Sequence, residues 1–233
     1  MKTAMLASND FTGISFWLIS MALLASTVFF FIERNSVKAS WRTSITISGL
    51  VTGIAFVHYM YMREVWVSTG TSPTVFRYID WLLTVPLLMV EFYFILSAVK
   101  KVSSGIFWRL LIGTLVMLIG GYLGEAGYMN ITAGFVIGMA GWIYILYEVF
   151  SGEAGKEAAK LRGPAADCFN FCKWIVTLGW SVYPLGYLFG YMIGGTDEAA
   201  LNQIYNLADF INKILFGLVI YSTAKSLTPA SQK

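Results

Sequence analysis

A lysine at the centre of a long apolar run has the most chemistry to offer in this chain. Lys213 lies in Leu207-Ala208-Asp209-Phe210-Ile211-Asn212-Lys213-Ile214-Leu215-Phe216-Gly217, inside a run spanning 201–225. A charged group there is expensive in hydrocarbon, so it faces a bundle interior and carries function by default. Asp209 is one helical turn earlier and shares its face. Two plain readings are a structural ion pair and a lysine snorkelling to the interface. Snorkelling is disfavoured because Lys213 is about two turns or more from each end of the run. The functional reading uses the amine. A buried lysine can form a Schiff base with an aldehyde, and a carboxylate beside it can neutralise the protonated imine.

A second set of polar residues lies in Thr74-Val75-Phe76-Arg77-Tyr78-Ile79-Asp80-Trp81-Leu82-Leu83-Thr84-Val85-Pro86-Leu87-Leu88-Met89-Val90-Glu91. At about 100° per residue, Thr84 falls near the face of Asp80, and Glu91 returns to within roughly 20° of it. The two carboxyls are then about 16 Å apart along the axis. This layout suits a proton relay. Glu91, among Leu88, Met89, Val90, Phe92 and Phe94, is expected to stay protonated at rest. Asp80, close to Arg77 and a possible imine, is expected to be ionised. The plain alternative is an Asp80–Arg77 pair made for packing, with Glu91 reaching the interface. His58, the sole histidine, sits in Phe56-Val57-His58-Tyr59-Met60. It reads equally as a hydrogen-bonded core residue and as a partner of Asp80.

The elements that hold these residues are membrane-spanning helices. The chain has 233 residues, of which 57% are hydrophobic and only 12% charged. Its mean hydropathy is +0.67. That is too apolar for an ordinary soluble domain and fits a polytopic membrane protein. Seven apolar runs, at 11–32, 42–62, 74–98, 107–125, 128–150, 169–192 and 201–225, are each long enough to cross a bilayer. The expected fold is an all-α seven-helix bundle forming a single domain over 1–233. Ser151 to Asp167 is the one clear polar loop.

Lysine and arginine set the orientation. Arg34, Lys38, Arg42, Lys100, Lys101, Arg109, Lys156, Lys160, Arg162, Lys173, Lys225 and Lys233 gather at one end, against Lys2 and Arg63 at the other. The excess marks the cytoplasmic side, which puts the N-terminus outside and the C-terminus inside. Trp41, Trp66 and Trp108 fall near span ends and read as interface anchors. Pro86 and Pro184 lie inside spans three and six and are expected to kink them. Cys168 and Cys172 make a poor zinc pattern and read as two reduced helix residues. No metal cluster is visible, and no basic block suggests nucleic acid. The opening Met1–Ser8 is too short for a complete signal peptide, and whether a leader was trimmed stays open.

Taken in order, Arg77-Tyr78-Ile79-Asp80-Trp81-Leu82-Leu83-Thr84-Val85-Pro86-Leu87-Leu88, Trp180-Ser181-Val182-Tyr183-Pro184 and Asp209-Phe210-Ile211-Asn212-Lys213 on seven spans resemble the microbial (type 1) rhodopsins. The likeness runs over essentially the whole chain and is strongest to the proteorhodopsins. It implies that Lys213 carries all-trans retinal as a protonated Schiff base. It further implies that Asp80 is counterion and primary proton acceptor, and Asp209 a second counterion. Asp80, Thr84 and Glu91 match the outward proton-pump triad, with Glu91 as the cytoplasmic donor. His58 matches the histidine that pairs with the acceptor aspartate. Trp81, Trp142, Trp180, Tyr183, Pro184 and Tyr187 match positions around the polyene, and Tyr59 one near the Schiff base. Leu88 matches the colour-tuning position, where leucine resembles the green-absorbing type and glutamine the blue. The carboxylate pair used for early proton release has no match, since Gly195-Thr196-Asp197-Glu198 offers acids in a different arrangement.

The implied activity is a light-driven outward proton pump in the inner cell membrane, a transporter and not an enzyme. Its implied partners are lipid, retinal, protons and further copies of itself in a homo-oligomer. A photosensor signalling through a partner protein stays open, although a sensor gains nothing from the rapid reprotonation that Glu91 offers. A seven-helix chemoreceptor or small-molecule transporter would leave Lys213 idle. Replacing Glu91 with Gln is expected to slow recovery of the dark state while leaving colour nearly unchanged. Flash spectroscopy at neutral pH that found recovery unchanged would remove Glu91 as donor.

Overall fold

The computed structural model describes residues 5–194 and 197–229. Met1 to Ala4 (Lys2 among them), Gly195 and Thr196 of the acidic loop, and Lys233 lie outside the described residues. The first five spans are single helices: α1 (Phe11–Glu33), α2 (Arg42–Thr69), α3 (Thr74–Ser97), α4 (Gly105–Glu125) and α5 (Ile131–Phe150). Two of these starts carry a side-chain cap. Asp10 caps α1 by accepting from the Gly13 N–H at 2.8 Å, and Asn130 caps α5 by accepting from Thr132 and Ala133 at 3.0 and 3.1 Å. At the end of α2, Gly70 takes the left-handed conformation, φ 68°, in which a side chain is unwelcome.

The polar segment after α5 is not wholly a loop. It contains the short helix α6 (Glu153–Ala158). Glu148, buried at the end of α5, accepts from the Ala154 N–H at 3.1 Å and from Arg109, so α6 is tied back to α4 and α5. Helix then resumes at α7 (Pro164–Trp174), five residues before the apolar run begins, because Pro164 is pre-set for a first helical turn.

The sixth and seventh spans are helical but irregular. The sixth runs through α7, a π-helical stretch Ile175–Gly179, α8 (Val182–Tyr187) and a second π stretch, Leu188–Ile193. Pro184 has no N–H to offer the Trp180 carbonyl, which takes the Tyr183 N–H at 3.1 Å instead. Just ahead of it the Trp180 N–H reaches back five residues to Ile175. By contrast, α3 continues through Pro86 without interruption. The seventh span runs through α9 (Glu198–Asp209), a π stretch Phe210–Leu215, and α10 (Phe216–Ser226). Lys213 sits in that π stretch.

Neighbouring spans pack in order from α1 to α5, and the seventh span closes the bundle against α1, α2 and the sixth. Among the described residues, six helices are long and apolar enough to cross a membrane. The broken sixth span has the composition but not one continuous long helix. Large apolar side chains such as Leu18, Ile32, Val57, Ile112, Leu178 and Leu207 point outward, as a lipid-facing surface requires. Trp108 does so too, at 58% exposure, but Trp41 does not. A 3-10 turn, Ala39–Trp41, swings Trp41 into the core at 1% exposure, so it is no interface anchor. Trp66 is half-buried and donates to Asp10 at 3.1 Å, closing α1 onto α2.

Glycines let α4 and α5 approach closely. A Cβ on Gly141 would lie 2.6 Å from the Met117 backbone nitrogen, where no side chain can move aside. Gly141→Val is therefore expected to force the two helices apart and destabilise the protein by about 1–3 kcal/mol. Thermal unfolding in detergent measures this, and an unchanged midpoint would show that the contact is not tight.

Candidate functional site

Four residues of the seventh span, Asn202, Asn206, Asp209 and Lys213, follow a helical stripe and face the bundle interior. Opposite them α3 presents Arg77, Asp80, Thr84 and Glu91, all buried. The two stripes meet at Lys213. Its Nζ donates to Asp80 Oδ2 at 2.6 Å and to Asp209 Oδ2 at 2.8 Å. Side-chain exposures of 2%, 0% and 1% put the three charges beyond solvent. A buried ion is tolerable only when paired and hydrogen-bonded, and this cation has two anions.

The two carboxylates are not equivalent. Asp209 accepts from Tyr183 at 2.6 Å, Tyr59 at 2.7 Å and Trp81 Nε1 at 3.3 Å, besides Lys213. Asp80 Oδ2 has only Lys213, and Asp80 Oδ1 has no partner. His58 is half-buried on α2 and makes no hydrogen bond to Asp80 among the described residues. Thr84 donates to the Asp80 backbone carbonyl at 2.9 Å, so its hydroxyl follows the helix and not the carboxylate. Arg77 does not pair directly with either aspartate. Its guanidinium donates to Asn202 at 2.8 Å, to Asn206 at 3.0 Å and to Tyr59 at 3.4 Å. Glu91 is 1% exposed and neither of its oxygens has a hydrogen-bond partner.

Lys213 and Asp209 border a cavity holding about 770 Å³ of empty space, partly open to the outside. Its walls are mostly apolar and aromatic. Trp81, Leu88, Trp142, Trp180, Tyr183, Pro184 and Tyr187 all line it. Tyr59 does not, and acts instead on Asp209. A flat, apolar ligand bearing one electrophilic carbon fits such walls, with Nζ as the nucleophile.

A family model described as bacteriorhodopsin-like protein matches residues 10–227. The chain belongs to the bacteriorhodopsin-like family. Within it, the chain is 58% identical to a green-light absorbing proteorhodopsin of Gamma-proteobacterium EBAC31A08, covering 94% of this chain and 88% of the relative. It is 56% identical to a blue-light absorbing proteorhodopsin of Gamma-proteobacterium Hot 75m4, covering 93% and 87%. Among solved structures, it is similar to a blue light-absorbing proteorhodopsin from Med12 at TM-score 0.81 and 52% identity, covering 93% of this chain and 99% of that one.

Sequence reasoning missed several residues of this family member's site. Asn202 and Asn206 hold Arg77, and their spacing from Asp209 and Lys213 was the available signal. Asn212 ties the seventh span to the sixth, donating to the Tyr183 hydroxyl at 3.0 Å and the Gly179 carbonyl at 3.2 Å. Glu125, at the end of α4, also lines the pocket and accepts from Tyr78 at 2.9 Å. Nothing in its local sequence sets it apart from an acid at a span end.

Removing one donor from Asp209 leaves a buried carboxylate oxygen under-satisfied. Tyr59→Phe and Tyr183→Phe are each expected to destabilise the retinal-free protein by about 1–3 kcal/mol. Because both act on one carboxylate, the double variant should depart from the sum by about 0.5 kcal/mol or more. Strict additivity in an unfolding titration would mean the two tyrosines do not share Asp209.

Proposed function

We propose that Lys213 carries retinal and that Asp80, Glu91 and Arg77 turn its response to light into outward proton transport. The chain is a light-driven proton transporter with a retinal chromophore, a multi-pass membrane protein and not an enzyme. The observation that carries the assignment of roles is Lys213 Nζ at the pocket wall, held 2.6 Å from Asp80 and 2.8 Å from Asp209. The residues present fit the group. The lysine lines an aromatic-walled cavity, and Asp80, bonded to its amine, keeps one buried oxygen, Oδ1, unpartnered.

Retinal bound at Nζ supplies light absorption and a change of shape that breaks the dark-state alignment of the nitrogen with its carboxylates. The remaining chemistry belongs to the chain. Asp80 is the base, because it is the carboxylate 2.6 Å away that lacks other donors. Asp209, with three further donors, holds its negative charge and anchors the site through the cycle. Glu91 lies on the same face of α3, about three turns beyond Asp80, buried with no hydrogen-bond partner. It returns the proton to the lysine nitrogen past Thr84. Arg77 stands on the other side of Asp80. From it, Asn202 accepts from Ser72 Oγ at 3.4 Å, and the Ser72 N–H donates to Glu198 at 2.7 Å. That polar chain is the exit.

The lysine and arginine excess supports an N-terminus outside and a C-terminus in the cytoplasm, in an inner cell membrane. The bundle then works as one seven-helix domain, with Lys213 as the attachment point and a homo-oligomer as its assembly. His58, half-buried one helical residue before Tyr59, serves as an adjusting neighbour of Asp80. Leu88 sets a green-absorbing pocket, since leucine presents no polar group to the chromophore. Leu88→Gln is expected to move absorption to shorter wavelength, and an unmoved spectrum would take colour tuning away from this position.

Illuminated cells expressing the chain with retinal should acidify the medium, and a protonophore should abolish the signal. Asp80→Asn should shift the colour and stop the acidification. A coloured Asp80→Asn variant that still pumped would remove Asp80 from the path. Coloured wild-type cells with no pH change would favour a photosensor.

A further inference from the structure

Glu125 is the one carboxyl lining the pocket that proton transport, as derived above, does not use. It lies on α4, whose main packing partners are α3 and α5. The π stretch carrying Lys213 packs instead on α1, α2 and the sixth span. Lys213 and Glu125 therefore approach the same cavity from opposite sides of the bundle. A chromophore joined to Nζ would fill this cavity, whose wall beyond the lysine includes Glu125 with Gly121, Gly134 and Phe135.

The groups facing Glu125 make a defined polar setting. From α3, Tyr78 donates to it at 2.9 Å and Arg77 attracts it from further away. From the sixth span, Tyr191 and Tyr187 lie within electrostatic reach of it, as does Tyr205 of α9. The neighbouring turn of α5, with Gly134 and Phe135, adds no titratable group. The Tyr78 ring in turn packs edge-on against Trp81, at 5.1 Å between centroids. Glu125 is thus held in the pocket wall by the Tyr78 hydroxyl.

Light absorption by a conjugated cation anchored at one end moves positive charge away from that end. A negative charge beside the anchor stabilises the ground state and shortens the absorbed wavelength. A negative charge at the far end stabilises the excited state and lengthens it. We infer that Glu125 is a second ionisable group acting on the chromophore, tuning its absorption from the pocket end opposite Lys213 with a sign opposite to that of Asp80. The inference rests on retinal being attached at Lys213.

Absorption spectra of the retinal-loaded protein, titrated between about pH 4 and 9, below the ordinary tyrosine range, test it. Two transitions are expected in the wild type as pH rises. One shifts to shorter wavelength and disappears in Asp80→Asn. The other shifts to longer wavelength, disappears in Glu125→Gln and survives in Asp80→Asn. Tyr78→Phe, which removes one donor to Glu125, should move the midpoint of the second transition and leave the first in place. Coloured Glu125→Gln protein whose spectra overlay the wild type at every pH would overturn the inference and leave the retinal assignment standing. If Glu125→Gln gives no folded pigment, an unmoved second midpoint in Tyr78→Phe overturns it equally. A colourless wild type would instead remove the Lys213 assignment, and this inference with it.

Discussion

One cation held between two carboxylates, out of reach of water, is the interaction on which the rest of the structure depends. Lys213, Asp80 and Asp209 cannot be buried singly, since an isolated charge in an apolar interior is prohibitively costly and removal of one partner strands the others. The triad therefore fixes how α3 and the seventh span face each other. Further demands follow from it. Asp209 has more lone pairs than Lys213 can fill, and Tyr59, Tyr183 and Trp81 supply the donors from three different spans. Arg77, a second buried cation, is held by neutral amides and a hydroxyl, so its charge stays available to the same centre.

The asymmetry between the two carboxylates underlies the direction proposed for the site. An anion with several fixed donors behaves as a permanent counter-charge. An anion with one donor, as Asp80 has in Lys213, suits the proposed role of base. The same logic separates Glu91, which has no hydrogen-bond partner and sits beyond Thr84, from Arg77 and its polar chain toward Ser72 and Glu198. One side holds a buried carboxyl in an apolar setting, and the other offers hydroxyls, amides and a carboxylate.

Helical arithmetic was enough to put Asp80, Thr84 and Glu91 on one face, because α3 stays regular through Pro86. It likewise aligned Asp209 with Lys213. It could not anticipate the π stretch at Phe210–Leu215, since widening a helix by one residue reflects packing against neighbouring spans and not local propensity. Tyr59 and Asp209 are 150 residues apart, and only tertiary structure joins them. Trp41 looked like an interface anchor because a tryptophan near a span end has the same sequence signature whether it turns toward lipid or core. Glu125 was invisible for a related reason. An acid at the end of a span is ordinary until a cavity is found behind it.

The attachment of retinal to Lys213 is tested most directly by reducing the coloured protein with borohydride, digesting it and locating the retinyl group by mass spectrometry. The peptide containing Lys213 should carry the added mass, and no other lysine peptide should. Retinyl on a different lysine, or on none in protein that was coloured before reduction, would contradict the central role given to Lys213.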